Sequence, residues 1–317
     1  MFAAVEVGCS DAFVRWIWSV LPCLVTACSA PTPWAVDAAP TLAQAQARGA
    51  DVVVFFALPG RQLSDQMEQE SLNAPEVLDA LRAQGFYSLR LDGFSRQRLY
   101  DHYIGGGEGM GVCVLDEQGR VYAARPGPQD PPELAAYLRL VASRRAAVAA
   151  ARVVLDSQPE DPVANYELGV LLLELGCRVG TDKLLLTAAQ GGVVDAHHRL
   201  ARLYALDGRL TQARQWLRTA HPTPAAAVTE GYVLYKERRH RESAELLGAT
   251  LEQGGLSRDD ELRAQLFYGK ALHQAGADQR ATQVLQALVA RAPGTTYAGA
   301  ALHTLDHIQN PNHGHSH

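Results

Sequence analysis

The side chains of this chain that could do chemistry are histidines near the C-terminus, a few cysteines and the pair Ser64-Asp65. The chain ends Asn310-Pro311-Asn312-His313-Gly314-His315-Ser316-His317, and His313, His315 and His317 present alternating imidazoles of the kind that ligate Zn, Cu or Ni. His303 and His307 precede them, one helical turn apart. No carboxylate lies among the tail histidines and a tail has no pocket to exclude water, so the expectation is weak, unselective metal binding and no catalytic metal. The five cysteines stand at positions 9, 23, 28, 113 and 177, too few for a disulfide framework. Cys113 lies between Val112 and Val114 in a strand-like run, which reads as a small buried hydrophobe; a redox role for it is the alternative. Ser64 with Asp65 has no histidine near in sequence to act as base, so a hydrolase reading finds little support.

Those residues need elements to position them, and the first is an apolar stretch near the N-terminus. Residues 16–27 are apolar, follow Arg15 and are too few to span a bilayer. They end Leu24-Val25-Thr26-Ala27-Cys28, a string that resembles a bacterial lipobox. The resemblance implies a signal peptide over residues 1–27, lipidation at Cys28 and durable anchoring through more than one acyl chain. Ser29 after the cysteine implies the outer membrane, facing the periplasm. Glu6 and Asp11 stand where such leaders are basic; a start at Val14, beside Arg15, would remove both. The alternative is an unrelated buried cysteine after an apolar helix.

A net charge of −5 and the absence of a Lys/Arg block exclude a basic nucleic-acid footprint, and the length allows two domains. After a linker over residues 28–40, residues 41–142 carry an α/β pattern. A helix over 42–48 is followed by the β-branched and aromatic run 51–57, a strand buried on both faces. A helix over 75–84 starts at Asn73-Ala74-Pro75, residues 87–92 alternate as a strand, and a helix-like connector follows. Residues 111–116 and 119–124 flank a turn as a hairpin, and a helix over 131–141 closes the domain.

This order and the run Met67-Glu68-Gln69-Glu70-Ser71-Leu72-Asn73-Ala74-Pro75 resemble a thioredoxin-like domain. The resemblance places the family's two redox cysteines at Arg61 and Ser64 and its cis-proline near Met110. None of the three is kept, so the domain is expected to be redox-inactive, with a trans bond at Met110. The glycine-rich run 105–109 lacks the Lys-Ser/Thr of a phosphate loop and is expected to be a mobile loop beside the former active site.

Residues 143–309 are helical in pattern and repeat. Leu168-Gly169, Leu200-Ala201, Gly231-Tyr232 and Tyr268-Gly269 fall 32, 31 and 37 residues apart, with an insertion expected near Gly254-Gly255. Each mark is where two helices of a hairpin cross, so a small residue is wanted there, and Gly208 and Gly276 suit left-handed turns between the helices. The pattern resembles a tetratricopeptide-repeat (TPR) array, with residues 144–157 the second helix of an incomplete unit and 297–308 a capping helix. By that resemblance the inner groove is lined by Asp195, His198, Arg202 and Ala205; Ala226, Thr229, Val233 and Lys236; and Arg263, Leu266, Lys270 and His273. His198, Arg202, Lys236, Arg263, Lys270 and His273 make this face basic, suited to an acidic peptide or a C-terminal carboxylate. Ordinary solvated helix surface is the alternative.

The expectation is therefore an α/β thioredoxin-like domain followed by an all-α TPR solenoid and a His-rich tail at 310–317. Its function would be that of a non-enzymatic, lipid-anchored protein-binding adaptor or scaffold in envelope assembly or transport. The alternative is a redox or metal-handling envelope protein using Cys113 or the histidine tail.

Overall fold

The computed structural model describes residues 34–105 and 109–310. Cys28 with the apolar stretch before it, residues 106–108 of the glycine-rich loop, and His313, His315 and His317 lie outside those residues. The described chain is mostly helical, with fourteen α-helices and one four-stranded mixed sheet. It divides into two compact units, residues 1–128 and 129–317. No helix among the described residues is long and apolar enough to cross a membrane.

In the first unit the elements run α1 (Ala38–Ala47), β1 (Val52–Ala57), α2 (Gln62–Gln66), α3 (Pro75–Ala83), β2 (Tyr87–Asp92), α4 (Gln97–Tyr103), β3 (Gly111–Leu115) and β4 (Val121–Pro126). The strands lie in the order β2-β1-β3-β4. β1 is parallel to β2, with Val54 opposite Leu89, and antiparallel to β3, with Val54 opposite Cys113. Every residue of β1 is buried, as its unbroken apolar run requires. Each fully buried Val or Phe contributes on the order of 1.5–3 kcal/mol. The β3–β4 turn is held by Asp116, whose Oδ1 accepts the backbone N–H groups of Gln118 (3.0 Å) and Arg120 (2.8 Å). α3 begins with Pro75 at its first turn and buries Val77, Ala80 and Leu81, one face at helical spacing.

Two features depart from the sequence pattern. Between β1 and α3 the chain forms α2, which continues as a π-helical turn over Met67–Ser71. That segment has too few apolar residues at regular spacing to announce a helix. The expected linker 28–40 is also shorter at its far end. Trp34 is buried, donates from Nε1 to the Leu72 carbonyl (3.0 Å) and packs edge-on against Phe55, while Ala35 bridges to Leu89 beside β2. Residues 34–37 thus join the first unit before α1 starts.

The second unit comprises α5 (Pro131–Ser157), α6 (Pro162–Glu174), α7 (Thr181–Gln190), α8 (Ala196–Leu206), α9 (Leu210–Thr219), α10 (Pro224–Lys236), α11 (His240–Gln253), α12 (Arg258–Gln274), α13 (Asp278–Arg291) and α14 (Thr296–Gln309). α5 is one continuous helix, so the chain does not break at the expected boundary 142/143; the division between units falls before α5 instead. No Gly or Pro interrupts residues 133–157, and nothing local ends the helix there.

The helices pack as successive hairpins α6/α7, α8/α9, α10/α11 and α12/α13, and the first helix of each also packs on the first helix of the next. The repeat marks sit where the helices of a hairpin cross. A Cβ on Gly169, Gly231 or Gly269 would lie 2.8, 2.5 or 2.5 Å from the nearest side-chain atom of Leu185, Leu247 or Leu285. In each case the leucine follows its glycine by sixteen residues; Leu217 holds the same place relative to Ala201. The expected insertion lies between α11 and α12, where Gly254 and Gly255 both take positive φ.

Candidate functional site

In the first unit, the loop at the C-terminal end of the inner strand β1 leads through Arg61 into α2, which carries Ser64. Ser64 is buried, and its hydroxyl oxygen accepts the Leu58 backbone N–H at 2.8 Å. Asp65 Oδ1 accepts the Gly60 N–H at 3.2 Å. Both side chains therefore brace the loop, and Arg61 is exposed at the start of α2. Gly93 follows β2 and Gly109 precedes β3; a Cβ on Gly93 would lie 2.4 Å from the Gly109 carbonyl oxygen, so the loops close on one another there. The peptide bonds of the described residues, Met110 included, are all trans. Cys113 is fully buried in β3. The neighbouring Tyr103 hydroxyl is pushed up to about 12 by burial, reinforced by the Cys113 sulfur. Burial also pushes the Cys177 thiol up to about 11, disfavouring its thiolate.

The charged cluster of the second unit is built from α8, α12 and α14. Arg263 is buried on α12, with its guanidinium bonded to Asp260 Oδ1 at 2.6 Å, to Asp259 Oδ2 and to the Tyr297 hydroxyl at 3.2 Å. Tyr297, at the start of α14, in turn donates to Asp259 Oδ1 at 2.6 Å. From α8, Arg199 reaches within 3.8 Å of Asp260. Burial works against the charge on both partners of the Arg263–Asp260 pair, but their mutual attraction prevails. Arg263 is held above its ordinary value by Tyr297, Asp259 and Asp260, and Asp260 below its own chiefly by Arg263 and Arg199.

Three members of the cluster are not satisfied in this way: His198, Arg202 and Arg199, whose Nε is buried without a hydrogen-bond partner. Burial, then the adjacent Arg199, lowers His198 to about 4, so its imidazole is neutral at neutral pH. Its Nε2 is buried without a hydrogen-bond partner. Arg202, half-buried, is lowered to about 10 by burial and by Arg263, and has no hydrogen-bonded acceptor among the described residues. It remains charged at pH 7. After burial, Arg263 and Arg199 lower Arg202, while Tyr297 and Asp259 raise it without a hydrogen bond.

The structure thus brings together three of the basic groove residues, His198, Arg202 and Arg263. Lys270 lies further along α12, about 6.0 Å from the Phe267 ring centre, and burial lowers its pKa. His273 is tied locally to Asp278, with Nδ1 2.6 Å from Oδ1, and Lys236 is exposed at the end of α10. Ala205, Ala226, Thr229, Val233 and Leu266 are buried, while Asp195 is exposed. Asp259 and Asp260 were missed by the sequence reading, although they stand four and three residues before Arg263, a spacing that faces them toward it on a helix. Tyr297 carried no such signal, because it joins Arg263 across 34 residues of chain.

No model of a known protein family matches this chain, and no curated protein matches it in sequence.

Proposed function

We infer that this chain is a non-enzymatic binding protein of the bacterial cell envelope, lipid-anchored through Cys28 and facing the periplasm. In this reading the first unit is a thioredoxin-like domain that has lost its redox chemistry. The sheet order β2-β1-β3-β4, with one parallel and two antiparallel pairs, supports it, as do Arg61 and Ser64 where the cysteines would stand. The second unit is a TPR-like array of four hairpins with α14 as cap. The recurrence of a crossing glycine and its leucine at the same offset supports this.

The ligand is a protein segment that ends in, or carries, a carboxylate. The observation that carries this reading is the unpaired Arg202 guanidinium beside the unpartnered Nε2 of His198. A guanidinium already desolvated by burial and crowded by like charge gains more from a carboxylate than one in water. The protein partner serves envelope assembly or transport; nucleic acid is not a partner, and no cofactor is required.

The test is fluorescence anisotropy with a library of acidic peptides, each made with a free C-terminal carboxylate and with a C-terminal amide. Wild-type chain and Arg202→Gln are compared. The expected result is a set of carboxylate peptides whose affinity falls at least tenfold in the variant, with unchanged circular dichroism. Peptides that bind both chains equally, or no binding by any peptide, would reject the reading.

A further inference from the structure

The helix crossings fix the register of the repeats, and that register puts three side chains in one row. Arg202 follows Ala201, Tyr232 follows Gly231 and Lys270 follows Gly269, so each stands one residue after the crossing on α8, α10 and α12. Tyr232 therefore takes the groove position expected for Val233, which is fully buried in the core. Phe267 joins the row from α12. Its ring centre lies 4.6 Å from that of Tyr232 and 5.6 Å from that of Tyr235, with both pairs of planes inclined at 54°. We propose, resting on the carboxylate reading of Arg202, that the groove recognises a C-terminal aromatic residue. Its carboxylate meets Arg202, and its ring packs on Phe267 and Tyr232 beside Lys270.

α12 carries Arg263, Phe267 and Lys270 at spacings of four and three residues, which places them on one face of the helix. At about 1.5 Å of rise per residue, Phe267 lies roughly 6 Å beyond Arg263, and Lys270 roughly 10 Å beyond it. Arg202 is close enough to Arg263 and to Tyr232 for charge to act between them. A carboxylate at Arg202 and a ring at Phe267 are thus about one helical turn apart. That is the span from a residue's own carboxylate to its aromatic ring, and the side chain of Ala or Val falls short of it.

The rings are partly open to an incoming group: Phe267 and Tyr235 are half-buried, while Tyr232 is the more enclosed. Lys270, half-buried as well, has its ammonium 6.0 Å from the Phe267 ring centre. Burial lowers its pKa, and no carboxylate acts against that. An ammonium with no acceptor, set at the rim of an aromatic shelf, attracts the face of a further ring. Together with Arg202 it repels a terminal Lys or Arg, so the same groups select against basic ends.

The test is fluorescence anisotropy of the intact chain with fluorescein-labelled peptides of four Gly-Ser repeats ending in Phe, Tyr, Trp, Leu, Ala or Lys. Each peptide is made as the free acid and as the amide. The expected result is that the three aromatic acids bind at least tenfold more tightly than the Leu and Ala acids, with the Lys acid weakest. Lys270→Gln and Phe267→Leu should each weaken the aromatic acids at least threefold more than the aliphatic ones, with circular dichroism as in the wild type. Equal affinity for aromatic and aliphatic acids, with a preference for acid over amide that Arg202→Gln abolishes, would overturn the aromatic subsite and leave the carboxylate reading standing. Equal binding of acids and amides, or no binding, would overturn both. Should Phe267→Leu prove unfolded, the wild-type series decides the question, since it needs no variant.

Discussion

An imidazole buried beside Arg199 and Arg202 gains little by taking up a proton, and His198 does so only near pH 4. The unfolded chain protonates the same group below about pH 6.5. Between those values the unfolded state binds more protons than the folded one, so stability falls as the pH drops from about 6.5 to about 4. His240, lowered in the same direction by burial and Arg238, adds to this slope, whereas Asp260, held below its ordinary carboxylate range, contributes only at lower pH. Urea unfolding at several pH values should therefore give a shallower slope for His198→Gln than for the wild type; equal slopes would show that His198 is not the group responsible. The same residue scale explains why Arg263 and Arg202 differ. Arg263 has three neighbours to bond, and its burial is compensated. Arg202 shares the desolvation without an acceptor.

The helical hairpins repeat a turn as well as a crossing. Gly176, Gly208 and Gly276 each follow their repeat mark by seven residues and take φ of 74°, 74° and 82°. The fourth turn, between α10 and α11, has Arg238 at that place with φ of 63°. A left-handed backbone costs a residue with a Cβ roughly 1–2 kcal/mol, a cost glycine does not bear. Arg238 is exposed, so little packing is lost by replacing it. Arg238→Gly is expected to stabilise the chain by about 1 kcal/mol, read as a higher urea midpoint with an unchanged m-value. A lower midpoint would mean that the arginine side chain contributes more than its backbone conformation costs.

Over the whole molecule, an α/β unit precedes a helical unit in which Arg202 has no hydrogen-bonded acceptor among the described residues. Ser64 is engaged with the Leu58 amide and Cys113 is enclosed in the sheet. A lipid anchor would place the helical unit near a membrane surface and raise its encounter rate with envelope proteins. Cys28→Ala is accordingly expected to move the chain from the membrane fraction to the soluble envelope fraction on cell fractionation. Retention of the variant with membranes would remove the anchor from the reading.

Much of this architecture was legible in the amino-acid order. The run 51–57 specifies a strand buried on both faces because six consecutive apolar side chains cannot alternate toward water. The glycine marks specify hairpin crossings because a Cβ there would overlap the partner leucine. Such signals are local, or repeat at a fixed period, and the sequence by itself determined them. α2 and its π-helical turn were not legible, because tertiary packing rather than periodicity holds a segment with so few apolar residues. The six basic groove residues were visible, but not which of them would meet. Only the tertiary structure brought His198, Arg202 and Tyr297 to Arg263, Asp259 and Asp260 of α12 and left Lys236 in solvent. Whether a charge is neutralised depends on which carboxylates the fold brings within a few ångströms, and chain distance does not record that.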